Sequence, residues 1–492
     1  MHLPESPQLP GPNSISRRQL LARSGLGFGS IALAGLLDSE NLLGTPALDK
    51  PGRPYMDLKP RKGHFPGPAK AVIQLVQNGG PSQMDLFDPK PELTRRAGQP
   101  HPDGVEIHQP NNLNILMPCP YEFKKHGQSG MEIAEVLPQL SGVADELCMV
   151  RSMYSVHNNH PEGLNNLLTS QIFPGRPVMG SWISYALGTE NQNLPAYVVL
   201  RAPEGYSVSG KILWSSGWLP ALYQGVEFSS IGTPVHHLQQ EVPLPPGVQR
   251  QSLDLLARLN QRHLVHHPET SELEARIQNY ELAARMQLAA ADILDLSRES
   301  EATRKMYGLD NPLTAPYATR CLMARRLVES GVRFVQVFSG KGQPWDSHDN
   351  LKTNLAKICA KTDQPTAALI KDLKSRGLLE STVIMWAGEF GRLPTTQNSD
   401  GRDHNRNAFT ILFAGGGFKP GLTYGATDEF AYKAVENRVS CPDMQATLYR
   451  LLGIDHSRLT YRHGGREETP TNLAITGAKV VDDLIEHPLP GA

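Results

Sequence analysis

With 492 residues, 39% of them hydrophobic, and a formal net charge of -1, the chain has the apolar content of a large folded protein and no surplus of either charge. That excludes a disordered polar chain and leaves no broad basic field to attract nucleic acid or anionic lipid. Its five cysteines, Cys119, Cys148, Cys321, Cys359 and Cys441, are odd in number and lack C-x-x-C spacing, so neither a disulfide framework nor a zinc knuckle is expected.

In chain order, residues 1–45 read first as a targeting segment. Ser16-Arg17-Arg18-Gln19-Leu20-Leu21 precedes a weakly apolar, Gly-rich stretch from Ser24 to Leu37, the pattern of a twin-arginine (Tat) signal. The stretch is shorter than the ~20 apolar residues that span a bilayer, and no other segment approaches a transmembrane span. The expectation is export through the Tat translocase to a periplasmic or cell-envelope location. No clean A-x-A site follows, which leaves removal of the segment open. Residues 46–68 form a Pro-rich linker.

From 69 to 77 the apolar, β-rich run reads as a central strand, followed by Asn78-Gly79-Gly80-Pro81-Ser82-Gln83-Met84-Asp85, whose glycines allow close approach to a ligand. Residues 130–147 carry apolar residues at helical spacing, and 148–153 look like a strand leading into His157-Asn158-Asn159-His160-Pro161-Glu162. A helix over 163–170 and a short strand over 195–200 precede an insertion at about 200–310, aromatic and Gly/Pro-rich at first, then charged and helical from 252 to 307. A helix, a Gly331 stop and a strand over 332–338 then point at Trp345-Asp346-Ser347-His348-Asp349. The unit recurs: a helix over 351–376, Gly377, and a strand over 382–387 that ends at Gly388-Glu389-Phe390-Gly391-Arg392. A polar loop leads to Gly401-Arg402-Asp403-His404, then come a strand over 408–417 and a helix over 442–452. Alternating helices and strands indicate an α/β three-layer sandwich with a mostly parallel central sheet, one domain over 69–480 with helical and loop insertions.

In such sheets ligands bind beyond the carboxyl ends of the strands. Carboxylates mixed with imidazoles at those positions suit a divalent metal, because anionic oxygens neutralise charge and neutral nitrogens fix geometry. The candidate ligands are Asp85, His157, Asp346, His348, Glu389, Asp403 and His404, for one or two divalent ions. Zinc, manganese or iron suits this mixture, whereas calcium would want more oxygens. Arg392 and Arg402 would balance charge on a transferring group. His160 has three readings: a ligand, which ranks first, a general acid, or a covalent phospho-histidine. Structural readings stand beside these: a Glu389–Arg392 ion pair, Asp346 capping the helix near Asn350, and Asp85 or Asp88 organising a turn. His236, His237, His263, His266 and His267 read as surface residues.

Four stretches, 78–91, 345–349, 388–392 and 401–404, resemble the signature set of the bacterial domain-of-unknown-function 1501 family, and the resemblance runs from about residue 14 to 477. That family is regarded as sulfatase-like, a branch of the alkaline-phosphatase superfamily. The resemblance implies that Asp85 corresponds to the metal-binding Asp after the first strand. Asp346 and His348 are similar to a D-x-x-x-H motif with tighter spacing. Phe390 stands where sulfatases have His, so His404, with Asp403, would supply the missing imidazole. The C-x-P-x-R nucleophile motif is absent and His160 falls where its Cys would be; Cys119-Pro120 and Cys441-Pro442 lack the intervening residue. The expectation is an exported metal-dependent hydrolase of phosphate or sulfate esters, without a formylglycine nucleophile, acting on a small-molecule or carbohydrate ester. The alternative is a non-catalytic exported binding or assembly protein that retains the fold.

Overall fold

The computed structural model describes residues 57–232, 247–266 and 271–489. The Tat segment, the first part of the linker, and His236, His237 and His267 lie outside the described residues. Two compact units divide the chain. One contains the helix Val248–His266, on which Leu256, Leu259 and His263 are exposed. The other carries everything below.

Its centre is a nine-stranded sheet. Taking the strands of the chain in order, these are β1 (Ala71–Val76), β2 (Asn112–Leu116), β3 (Phe123–His126), β4 (Met131–Ala134), β5 (Leu147–Tyr154), β6 (Tyr197–Leu200), β7 (Val226–Glu227) and β8 (Phe334–Phe338). They continue with β9 (Thr382–Ala387), β10 (Gly391–Gln397), β11 (Gly401–Asn405), β12 (Phe409–Ala414), β13 (Leu422–Tyr424), the small pair β14 (Ala426–Thr427) and β15 (Ala434–Glu436), and β16 (Val439–Ser440). The sheet order is β13-β5-β12-β9-β1-β8-β6-β7, with β16 also beside β5. β1, β8 and β9 are buried along their whole length, which is why they read as continuous apolar runs rather than alternating ones. β12 alone runs antiparallel to its neighbours, β5 and β9; the other pairings are parallel. The carboxyl ends of β1, β5, β8 and β9 therefore share one edge with the start of β12.

The helices Met179–Leu187 and Ala315–Glu329 pack on β8, and Leu351–Ser375 packs on Ala315–Glu329. Trp182, Leu322, Leu369 and Leu448 join the strands in one buried cluster. Among the described residues no helix is long and apolar enough to cross a membrane.

Two expectations change. Residues 130–147 form no α-helix: Gly127 and Gly130, with φ of 65° and 67°, turn the chain between β3 and β4, and a 3-10 helix follows at Leu140–Glu146. Ile133, Leu137 and Leu140 are buried as the helical spacing implied, but from a strand and a tight turn. The stretch around 392–404 is not a loop either. β10 and β11, each buried along its length, form an antiparallel hairpin joined by an exposed turn at 398–400, with β2 on the other side of β10. Within the 200–310 stretch, β7 pairs with β6 at the sheet edge.

Candidate metal centre

Five chain segments meet at the shared edge. After β1, Asn78 accepts from the Ser339 hydroxyl at 3.0 Å and donates to the Gly340 carbonyl at 3.1 Å, which binds the turn after β8 to the end of β1. Gln77 accepts from the buried Trp345 indole at 3.0 Å, so the residue next to Asp346 is held rigidly. Gly79, at φ 118°, lets the backbones touch: a Cβ there would lie 2.8 Å from the amide nitrogens of Trp345 and Asp346. From β5, the chain enters the helix His160–Thr169 at His160. From β9 comes Glu389, fully buried, its Oε1 accepting the Gly79 N–H at 2.9 Å. The hairpin adds His404 on β11.

Asp346 is the hub. Its Oδ1 lies 2.9 Å from His348 Nε2 and 3.3 Å from His404 Nε2, and these two nitrogens are 3.1 Å apart. Its Oδ2 lies 3.3 Å from His160 Nε2. On the far side of that ring, His160 Nδ1 is 2.6 Å from Glu389 Oε1. The other two rings are held by neutral oxygens, His404 Nδ1 by the Asn158 carbonyl at 2.7 Å and His348 Nδ1 by Gln397 Oε1. Carbonyl oxygens only accept, so both Nδ1 atoms carry hydrogen, and in the neutral rings both Nε2 atoms present lone pairs.

Two lone pairs and a carboxylate oxygen that face one another this closely repel unless an electrophile lies between them. Donors bound at ~2.0–2.1 Å in a tetrahedron stand ~3.3 Å apart, the spacing seen here. His160 Nε2 and Glu389 Oε2 are buried without a hydrogen-bond partner among the described residues, and His160, Asp346 and His404 can offer ligand atoms within 4.8 Å of one another. The residues thus fit a divalent cation, and a nitrogen-rich set favours zinc-like ions over calcium. One oxygen is shared: Arg392 Nη2 donates to Asp346 Oδ1 at 2.6 Å.

Burial would push the Asp346 carboxyl up, but the charge of Arg392, foremost among the groups that lower it, holds Asp346 far below the usual carboxylate range. At His404, burial first and then Arg392 and His160 prevail over the pull of Asp346, and the ring is pushed down to about 3. A neutral ring is the ligating form. His160 goes the other way: burial disfavours its charged form, yet Asp346 and Glu389 together raise its pKa.

The remaining candidates lie elsewhere. Asp85 is not in the cluster; it forms a fully buried pair with Arg402, Nε to Oδ2 at 2.7 Å and Nη2 to Oδ1 at 3.0 Å. Arg402 is thereby committed to structure, and also donates to the Met117 carbonyl at 3.0 Å. Asp403 accepts three backbone N–H groups, from His404 at 2.7 Å, His108 at 2.9 Å and Gln109 at 2.8 Å, and touches no cluster nitrogen. His157 accepts the Asn159 N–H at 3.1 Å and stands outside the cluster. Arg392 pairs with Asp346 rather than Glu389. The helix Leu351–Ser375 starts at Asn350, whose N–H donates to Asp400 rather than Asp346. His108, which no motif singles out, stacks on His404 with ring centroids 5.1 Å apart.

Residues 69–485 match the family described as "Protein of unknown function (DUF1501)". No curated protein matches the chain. Among solved structures the chain is similar to the lipoteichoic acid synthase LtaP from Listeria monocytogenes, at 10% identity over 81% of this chain and 76% of that one, with a TM-score of 0.33. The PsFucS1 sulfatase from Pseudoalteromonas sp. is 14% identical over 92% and 77%, with a TM-score of 0.33. The phosphonate monoester hydrolase from Silicibacter pomeroyi is 11% identical over 86% and 78%, with a TM-score of 0.34. Likenesses this distant say nothing about activity.

Proposed function

The chain belongs to the DUF1501 family, and we propose that it is an exported, metal-dependent hydrolase of phosphate or sulfate esters that works without a formylglycine nucleophile. The observation that carries this is the convergence of His160, His348, His404 and Asp346 at the carboxyl edge of the sheet. A divalent cation held by these residues would supply Lewis acidity toward an ester oxygen. The ester class follows from the sulfatase-like motifs, and the Tat-like leader supports export.

The chain's own groups have defined parts. Glu389 keeps a proton on His160 Nδ1 and turns Nε2 toward Asp346. Arg392, donating to the Gly80 carbonyl at 2.8 Å and to Asp346, fixes the hub and adds positive charge where an anionic ester would sit. Side-chain exposure is 26% at His348 and 17% at Asp346 against 5% at His160 and 2% at His404, so substrate approaches from the His348 side. His160 is too enclosed to serve as an accessible nucleophile and acts as a ligand.

The test is elemental analysis of the purified protein beside His348→Ala and His404→Ala, followed by a screen of aryl and sugar phosphates and sulfates. Stoichiometric metal that falls in both variants, with ester turnover in the wild type, is the expected result. Metal without turnover would favour a binding or assembly protein; no metal in a folded protein would remove the hydrolase reading.

A further inference from the structure

The imidazoles near the sheet edge are not equivalent. His348 and His404 have both nitrogens engaged, His160 holds Glu389 through Nδ1 and turns Nε2 to Asp346, and His157 accepts a backbone N–H. His108 differs. Its ring is half-buried, stacked on His404 at an interplanar angle of 26°, and neither ring nitrogen has a hydrogen-bond partner among the described residues. Its backbone is pinned tightly for a loop residue. Asp403 accepts the N–H groups of His108 and Gln109, and the Glu106 N–H donates to the Tyr432 hydroxyl at 2.9 Å. Gln397, whose oxygen holds His348, donates to the Pro110 carbonyl at 3.3 Å. Hairpin residues that hold the His348 ring and the His404 backbone therefore also hold this loop.

Much backbone structure thus fixes a ring that makes no polar contact of its own and lies over a cluster imidazole. Resting on the hydrolase reading above, we propose that His108 is a substrate-binding residue whose ring nitrogen hydrogen-bonds an oxygen of the tetrahedral phosphate or sulfate group at the cluster. A hydrogen bond to a charged group at a partly enclosed site is worth roughly ten- to a hundredfold in affinity.

Inorganic phosphate and sulfate, titrated calorimetrically into metal-loaded protein, test this without turnover. His108→Ala is expected to keep its metal and to weaken phosphate binding at least about tenfold, with His108→Asn or His108→Gln recovering part of the loss. The backbone pins do not involve the side chain, so these variants should fold. Equal phosphate and sulfate affinity in wild type and His108→Ala, while His348→Ala loses it, would overturn the role of His108 and leave the hydrolase reading standing. Metal-loaded wild type with no affinity for either anion would overturn both.

Discussion

The three imidazoles of the cluster differ in what holds their far nitrogen, a carboxylate for His160 and neutral oxygens for His348 and His404. A carboxylate partner raises ligand basicity, and losing such a partner typically costs about 10–100-fold in metal affinity. Glu389→Gln, which can still accept from Gly79 and His160, is therefore expected to weaken binding by that factor with little effect on folding, as measured by equilibrium dialysis and Tm. Asp85→Asn should do the reverse. It leaves the buried Arg402 guanidinium without its counter-charge, a loss of about 3–5 kcal/mol, while metal per folded molecule stays unchanged. Asp346, His348, Glu389 and His404 stood out in sequence because each follows a strand or a Gly-rich turn. Asp85 stood out for the same reason and sits in an ion pair, because proximity to a strand end does not say which way a carboxylate turns.

At the scale of elements, the β10–β11 hairpin is decisive and was the least legible. Its polar residues mimic a loop, yet they are buried because other segments satisfy them: Gln83 accepts the Arg392 N–H at 2.8 Å and donates to its carbonyl at 3.0 Å. Gly401 is where the hairpin meets the His348 loop, and a Cβ there would lie 1.9 Å from the His348 carbonyl oxygen. Gly401→Ala should push the two apart and lower both Tm and metal content. A second junction carries a pH signature. Asp363, on the helix Leu351–Ser375, accepts the N–H groups of Gln139 and Leu140 at 2.8 and 2.7 Å, and burial outweighs these bonds and pushes its carboxyl up to about 6. Since the fold favours the protonated acid, its stabilising contribution is complete below about pH 4 and is lost as the pH rises to about 6, by about 3 kcal/mol at most. Wild type should therefore lose Tm relative to Asp363→Asn across that window.

At the scale of the whole molecule, the cluster ties the segments after β5, β8 and β9 to the hairpin, so a bound cation cross-links parts of the chain that are remote in sequence. A ligand that binds only the folded state stabilises it by about 2.7 kcal/mol at a hundred times its Kd. Chelation should lower Tm in the wild type and leave it unmoved in His404→Ala. The helix and strand order, the strand-end candidates and the family were legible in the sequence, since buried parallel strands write continuous apolar runs and glycines mark the turns between them. What only the tertiary structure decided was which candidates meet. His160 and Glu389 are 229 residues apart, and their 2.6 Å contact depends on the β5-β12-β9 pairing. Pairing between distant strands is a property of the packed sheet, and no local pattern of residues encodes it.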